Sequence, residues 1–297
     1  MNKNEFTALI SLLDDPDTLV FQQVRKKFFS IGEQVIPLLE NVWENSLDVE
    51  IQNRIEEIIH GIQLNIVTDM LSEWALVPGQ NLLNGALLIA KYQYPDLDEK
   101  KIRKQLHQIK QDIWIELNDK LTALEKVKII NYILFEVHNF SPNTQNYYAP
   151  QNSYINNVLE RKKGNALSLA ILYLVIAQEL NIPIYGVNLS EHFILCYKDE
   201  HRIMQTKNEN DSEIISSGIL FYINPFNQGI VFGKKAIDSF LIKLNLDQHP
   251  DFYQPCTNVE IIKRLMQTLI DSYHKLGYPN KVSEIKFLLA SFDRQKK

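Results

Sequence analysis

The sequence predicts an α+β fold that is mostly helical, with a small antiparallel sheet flanked by helical segments. Apolar residues recur at helical spacing through roughly the first 140 residues, which favours consecutive helices. Near residue 184 the apolar spacing changes to every second residue, which favours short strands. Helical spacing returns after residue 258, so one set of strands lies between two helical parts, as in α+β proteins.

The first 66 residues predict a helical segment. Asp15-Pro16-Asp17 interrupts the chain and offers an N-cap, and Gly32 ends the helix that follows. Residues 20–32 and 49–61 form a faint repeat, VFQQVRKKFFSIG and VEIQNRIEEIIHG. This pattern is similar to HEAT-type helical repeats, although their usual period of about 40–47 residues is longer. A plain helical bundle is the alternative.

The middle of the chain, residues 67–250, predicts a second unit. Its lead-in predicts helices over 80–93, 97–117 and 121–138, followed by a loop over 139–153. Asn165 is a candidate N-cap for an apolar helix over 166–180, whose apolar residues surround it and predict burial on most sides. The predicted strands are 184–189, 192–197, 203–206, 218–224 and 230–232, and a helix over 234–245 follows them.

The last residues, 251–297, predict a helical hairpin. Its helices cover 258–276 and 280–293, with a turn at Gly277-Tyr278-Pro279. The predicted domain organisation is therefore a helical HEAT-like segment over 1–66, an α+β unit over 67–250 and a hairpin over 251–297.

Composition excludes several classes of protein. Hydrophobic residues make up 45% of the chain, enough to bury a core, and the net charge of −5 argues against a dedicated nucleic-acid binder. The apolar run over 166–177 is shorter than the ~20 residues of a membrane-spanning helix.

The two cysteines form no disulfide framework or zinc motif, and the start of the chain predicts no secretory signal, so we expect a cytoplasmic protein. Phosphate-binding glycine loops and metal-ligand histidine spacings are absent, so we expect no cofactor and no metal.

The segment between residues 131 and 229 closely resembles a known family. Its motifs are NYILFEVHNF, YYAPQNSYINNVLERKKGNALSLAILYLVIAQELNIPIYGVNLSEHFILCY and INPFNQG. They resemble a bacterial branch of the transglutaminase-like superfamily, the branch named after the invasion-regulator protein SirB. The resemblance implies a papain-like core with an antiparallel sheet. In that branch the terminal helices often form tetratricopeptide-like repeats, and residues 259–292 are similar to one such helix pair.

Active members of the superfamily use a Cys at the start of a helix, with a His and an Asp on neighbouring strands. The helix N-terminus lowers the thiol pKa, the His deprotonates the thiol, and the Asp orients the His. The resemblance carries the Cys position to Ala166, the His position to His192 and the Asp position to Asn224. An alanine supplies no nucleophile, so this constellation implies a protein without the superfamily's catalysis.

Other residues are weak replacements for the missing Cys. Ser168 lies two positions further along the same helix, a rotation of about 200° away, and its simpler role is a hydroxyl at the helix N-terminus. Cys196 lies four residues after His192 on the same strand, and Cys256 has no His near it in sequence. A hydrolase with an unrecognised nucleophile is therefore the alternative function.

The candidate cleft combines the three superfamily positions with Asn152, Tyr154 and Asn165. The segment Tyr148–Tyr154 is either a lip of the former active site or a loop fixed by its own polar side chains. His192 is either a ligand-facing imidazole or a satisfied strand histidine. The function predicted is a non-catalytic protein that binds a protein or peptide partner, with no nucleic-acid or membrane partner, while a scaffold without any cleft ligand stays open.

Overall fold

The N-terminal helices form a small hydrophobic cluster of their own. A computed structural model describes residues 3–189, 192–199, 218–243 and 253–292 of the chain. Its first helices are α1 (Lys3–Ser11), α2 (Thr18–Ile31), α3 (Ile36–Asn45) and α4 (Val49–Leu76). Asp17 caps α2 by accepting a hydrogen bond from a backbone N–H in the first turn, as the Asp-Pro-Asp motif predicted. Asp48 caps α4 in the same way. Phe28, Leu39 and Ile55 are fully buried in the cluster.

Helix α4 links this cluster to the main core. It is 28 residues long and continues through residues 66 and 67, where the sequence predicted a domain boundary. Its N-terminal half packs with α2 and α3, whereas Val67, Leu71 and Trp74 belong to the main hydrophobic core. The boundary at residue 66 stays a prediction.

The helices that lead into the core agree with the sequence pattern. They are α5 (Leu82–Gln93), α6 (Glu99–Glu116) and α7 (Ala123–Asn131), and a π-helical turn over Tyr132–Val137 extends the last of them. Asn81, Asp98 and Thr122 cap their N-termini through side-chain oxygens. A short helix, α8 (Ile155–Arg161), follows the loop and was not predicted.

Helix α9 (Ala166–Glu179) is the centre of the core, which confirms its predicted burial. Every residue from Leu167 to Ala177 is buried. Strands β1 (Ser141–Pro142) and β2 (Lys163–Gly164) pair in parallel just before this helix and position its N-terminus.

The sheet is antiparallel, in the order β3-β4-β5-β6. Its strands are β3 (Ile184–Leu189), β4 (His192–Lys198), β5 (Ile219–Asn224) and β6 (Ile230–Phe232), followed by α10 (Lys234–Lys243). Helix α9 packs on the face that carries Phe193 and Leu195, and α10 contributes Ile237 to the cluster on the face of Ile194 and Cys196. The predicted strand over 203–206 lies outside the described residues.

The predicted C-terminal hairpin is confirmed. Helices α11 (Asn258–Leu276) and α12 (Pro279–Ser291) turn at Gly277, whose φ of +77° favours glycine. Leu265, Met266 and Ile285 are buried in the same core as α9. The fold is therefore α+β and mostly helical, as predicted. Within the described residues, no helix combines the length with the apolar character that a bilayer crossing requires.

Candidate functional site

The N-terminus of α9, where the sequence predicted the superfamily Cys position, is closed by a capping box. The side-chain oxygen of Asn165 accepts a hydrogen bond of 2.9 Å from Ser168 N–H, and Ser168 Oγ accepts one of 3.0 Å from Asn165 N–H. Gly164 lies so close that a Cβ on it would be 2.5 Å from Ser168 Oγ. The Gly of the motif is therefore needed for this packing. Ala166 is the first helical residue and is half-buried.

Ser168 is a structural hydroxyl in this arrangement. It is buried, and its Oγ donates to the Asn165 carbonyl at 3.2 Å while it accepts from the Asn165 N–H. A serine nucleophile needs an adjacent base. Ser168 hydrogen-bonds to the backbone and side chain of Asn165. This matches the simpler role predicted for it, a hydroxyl that stabilises the helix N-terminus.

The loop before α8 is held by buried amides. Asn152 Nδ2 donates to the carbonyls of Asn146 and Tyr147, at 2.7 and 3.1 Å, and Asn152 Oδ1 accepts from Asn143 Nδ2 at 2.9 Å. Asn165 Nδ2 donates to Ser153 Oγ at 2.8 Å, which ties this loop to the start of α9. Asn152 and Asn165 are both buried. Their amides therefore fix the loop, as the alternative interpretation of this segment proposed.

Ala166, His192 and Asn224, the positions predicted from the resemblance, lie at one end of the helix–sheet layer. Strand β3 returns from the C-terminal end of α9, so it ends near Ala166 at the helix N-terminus. Strand β4 then begins at His192, which pairs with Leu189 at the end of β3, and β5 ends at Asn224. The fold thus brings Ala166, His192 and Asn224 to the same end.

The register of the strands separates Ala166 from the other two positions. His192 lies on the same sheet face as Ile194 and Cys196, because side chains two residues apart on a strand share a face. Tyr222 pairs with Cys196, so Asn224, two residues after Tyr222, lies on that face too. Helix α9 packs on the other face, against Phe193, Leu195 and Ile223. Asn224 Oδ1 accepts a hydrogen bond of 3.1 Å from Phe226 N–H and so fixes the turn after β5. That these residues form the superfamily constellation stays a prediction.

Neither cysteine is placed to act as a nucleophile. Cys196 is fully buried, and Cys256 donates from Sγ to the Gly186 carbonyl at 3.2 Å. Burial raises the pKa of each thiol to about 12. The reactive thiolate is therefore scarce at neutral pH. Among the described residues, no three His, Cys, Asp or Glu side chains cluster in a way that could hold a metal ion.

A cleft of about 550 Å³ lies on the other side of the loop that Asn152 fixes. Tyrosines dominate its lining: Tyr94, Tyr147, Tyr148, Tyr154, Tyr273 and Tyr278. Of the candidate cleft residues predicted from the sequence, only Tyr154 lines this space. Sequence reasoning missed the cleft, because its residues come from the end of α5, the loop before α8 and the hairpin turn.

The floor of this cleft is held by hydrogen bonds between tyrosines. The hydroxyls of Tyr154 and Tyr273 are 3.0 Å apart, and Tyr273 also donates to Gln93 Oε1 at 3.1 Å. Tyr94 donates to Asn157 Oδ1 at 2.8 Å, and its ring packs edge to face on that of Tyr154. Burial raises the pKa of the Tyr154 and Tyr273 hydroxyls, so both stay neutral. The hydroxyls of the floor are therefore already paired within the protein.

Comparison with known proteins identifies the family. The model of the transglutaminase-like superfamily matches residues 100–267, more than half of the chain, and the chain belongs to this superfamily. A UPF0162 protein of Xylella fastidiosa is 36% identical over 114 residues, which are 38% of this chain and 41% of the relative. A UPF0162 protein of Pasteurella multocida is 27% identical over 123 residues, which are 41% of this chain and 46% of the relative.

A mammalian protein is also similar to part of the chain. F-box only protein 21 of Mus musculus is 29% identical over 138 residues, which are 39% of this chain and 22% of that protein. The chain spans less than half the length of the curated relatives named here. No solved structure matches it significantly. The UPF0162 relatives are bacterial, which supports the predicted bacterial branch.

Proposed function

We propose that this chain is a non-catalytic, SirB-type member of the superfamily that acts by binding a protein or peptide partner. One feature of the sequence carries the proposal: the resemblance to the superfamily puts Ala166 where active members have their Cys. A methyl group neither attacks a carbonyl nor forms a thioester. In subtilisin, loss of the nucleophile costs about a million-fold in rate.

The surroundings of Ala166 support this proposal. The nearest hydroxyl, on Ser168, is buried in the capping box, and the thiols of Cys196 and Cys256 have raised pKa values. Asn224 uses its side-chain oxygen to hold the backbone of its own turn. The residues that could replace the missing Cys are thus occupied in structural contacts. Two free cysteines suit a reducing compartment, so the proposed location is the cytoplasm.

The terminal helices are the proposed partner surfaces. Helices α1 to α4 share a separate hydrophobic cluster, in keeping with a HEAT-like segment, and α11 and α12 form an antiparallel pair, in keeping with a tetratricopeptide-like unit. Repeats of these kinds present extended concave faces to proteins. The proposed domains keep their predicted bounds of 1–66, 67–250 and 251–297.

Affinity capture followed by mass spectrometry tests this proposal. The full chain is immobilised and exposed to a native bacterial lysate, and bound proteins are eluted with salt. We expect a partner that is recovered intact and carries no new covalent modification. Cleavage of the partner, or its covalent attachment to the chain, would contradict a function limited to binding.

A further inference from the structure

The tyrosine-lined cleft has two walls that belong to different parts of the chain. One wall is the loop before α8, where the rings of Tyr147 and Tyr148 pack edge to face at 5.2 Å. The other is the hairpin turn, where Tyr273 and Tyr278 pack edge to face at 6.1 Å. Both walls expose large ring surfaces: Tyr147, Tyr148 and Tyr278 are each 44% exposed or more. A ligand in the cleft would therefore contact tyrosine rings on both sides.

The position of the cleft relates it to the superfamily site. The Tyr147 carbonyl accepts a hydrogen bond from Asn152, and the Tyr147 ring packs edge to face on Phe226 at 6.1 Å, two residues after Asn224. Asn152 in turn connects to the start of α9 through its carbonyl, which accepts from Asn165 N–H at 3.4 Å. One loop thus forms a wall of the cleft and also contacts the end of the fold where the three superfamily positions lie.

Two lysines lie at the hairpin wall of the cleft. Lys281 lines it, and Lys275 Nζ lies 4.4 Å from the centroid of the Tyr148 ring. Among the described residues that line the cleft there is no carboxylate. Lys281 forms an ion pair with Glu284, in which Nζ and Oε2 are 3.5 Å apart, and Tyr92 and His60 also hydrogen-bond to that carboxylate. An acidic ligand therefore finds complementary charge at the hairpin wall.

The polar groups on the lining favour a ligand with carbonyl oxygens along its length. Gln93, Gln145, Asn146 and Gln151 supply amide groups between the rings. Grooves lined by aromatic rings with interspersed hydrogen-bond donors bind proline-rich segments, because proline rings stack on the aromatic faces and the polyproline II backbone leaves its carbonyls free. Such a segment is already extended, so it loses little conformational entropy when it binds a rigid groove.

We propose that this cleft binds an extended, proline-rich peptide segment that carries acidic residues. This inference rests on the proposed binding function and names its surface and the chemistry of its partner. Single-stranded nucleic acid also stacks on tyrosines and pairs with lysines, but the net charge of −5 disfavours it. The peptide is the ligand that the aromatic rings, amides and lysines together fit.

Fluorescence anisotropy with labelled decapeptides tests the proposal on the full chain. The probe repeats Pro-Pro-Glu. Two comparison peptides change one property each, a Gly-Gly-Glu repeat and a Pro-Pro-Lys repeat, and a labelled oligouridylate tests nucleic acid as the ligand. We expect the Pro-Pro-Glu probe to bind at least about tenfold more tightly than each of these, the scale of a single aromatic anchor. Equal binding of the glycine repeat, or no saturable binding of the probe, would overturn the proposal. Tighter binding of the oligouridylate would assign the cleft to nucleic acid instead.

Variants locate the binding to the cleft. Tyr148→Ala and Tyr278→Ala should each weaken binding of the probe by about tenfold, and Lys281→Gln should reduce its salt dependence. Tyr148 lies in the loop and Tyr278 in the hairpin turn, so a folding defect in one variant leaves the other informative. Tyr132→Ala is the matched control, because Tyr132 is 61% exposed and does not line the cleft. An equal loss of probe affinity in Tyr132→Ala would overturn the assignment of binding to the cleft.

A second copy of the chain is the remaining occupant to test. Concentration-dependent dimerisation that Tyr278→Ala abolishes would show that the cleft is a self-association surface and would overturn the peptide assignment. If no probe binds while an intact partner is still captured from lysate, this inference fails and the proposed function stands. Covalent change in a captured partner would contradict the proposed function, whatever the probes show.

Discussion

Asn165 and Ser168 hold the first turn of α9 through two reciprocal hydrogen bonds, of 2.9 and 3.0 Å. The same hydroxyl also fills the space beside Gly164. The residues beside Ala166 therefore stabilise the start of the helix.

Replacement of Ser168 should lower stability. Ser168→Ala removes the hydroxyl from the capping box and leaves the buried Asn165 N–H with only its 3.4 Å bond to the Asn152 carbonyl, which should cost about 1–2 kcal/mol in the free energy of unfolding. Urea denaturation measures this change. Ser283→Ala is the matched control, because the Ser283 hydroxyl is exposed and bonds only the Pro279 carbonyl within its own helix. A loss at Ser168 no larger than the loss at Ser283 would contradict the structural role.

Substitutions at Gly164 and Ser168 should have coupled effects on the free energy of unfolding. Gly164→Ala places a methyl group 2.5 Å from Ser168 Oγ, so it should destabilise the wild-type chain more than a chain that already carries Ser168→Ala. A double-mutant cycle of unfolding free energies measures the difference. Additive effects of the two substitutions would show that the close contact is relieved elsewhere.

The buried helix gives a second stability test. Leu172 is 1% exposed, and Leu172→Ala should cost about 2–5 kcal/mol because it leaves a cavity in the core. Leu19→Ala, at a position 72% exposed on α2, should cost less than about 0.5 kcal/mol. A decrease in the free energy of unfolding of under about 1 kcal/mol for Leu172→Ala would mean that side chains around α9 are not closely packed.

Acid should weaken the contact between the hairpin and the N-terminal helices. Burial alone would raise the pKa of Glu284, but hydrogen bonds from His60 and Tyr92 outweigh it and lower the pKa to about 2. A depressed carboxyl pKa stabilises the fold above the unfolded-state pKa, and this contribution is lost as pH falls towards 2. The unfolding free energy should therefore decline on acidification.

A comparison of variants isolates this contribution. Glu284→Gln should show a shallower decline below about pH 4.5 than the wild type, since the neutral amide cannot titrate. Glu136→Gln, at an exposed position in the π-helical turn, should follow the wild-type curve. Parallel acid titration of stability in wild type and Glu284→Gln would contradict the assignment.

The thiols should be slow to react in the folded protein. Because burial raises the pKa of Cys196 and Cys256 to about 12, iodoacetamide should modify both far more slowly than free cysteine at neutral pH. Ala166→Cys should add one faster-reacting thiol, since it lies half-buried at a helix N-terminus. Rapid modification of either native cysteine, mapped by mass spectrometry, would reopen the hydrolase alternative.

The sequence could predict the elements whose signal is local. Helix α9 was predicted because its apolar run is continuous and Asn165 precedes it, and the hairpin turn because Gly277 and Pro279 flank it. Helix α8 was missed, because its seven residues are few and four of them are polar. Short helices depend on tertiary packing, which a local pattern does not contain.

The candidate site depended on distant contacts and was harder to predict. The cleft joins Tyr94, Tyr148 and Tyr278, which lie far apart in sequence. A local signal existed for one wall only, the adjacent pair Tyr147-Tyr148 in an otherwise polar loop. The sheet face on which His192 lies could have been predicted from the sequence. Phe193, Leu195 and Tyr197 alternate along the strand and pack against α9, so His192 lies on the opposite face.

One measurement tests the central claim most directly: turnover by the wild-type chain compared with His192→Ala. Both proteins are incubated with fluorogenic peptide and amide substrates and with an amine-incorporation substrate of transglutaminases. The account predicts no turnover above the buffer blank and no difference between the two proteins, because Ala166 supplies no nucleophile. Turnover by the wild type that disappears in His192→Ala would contradict it.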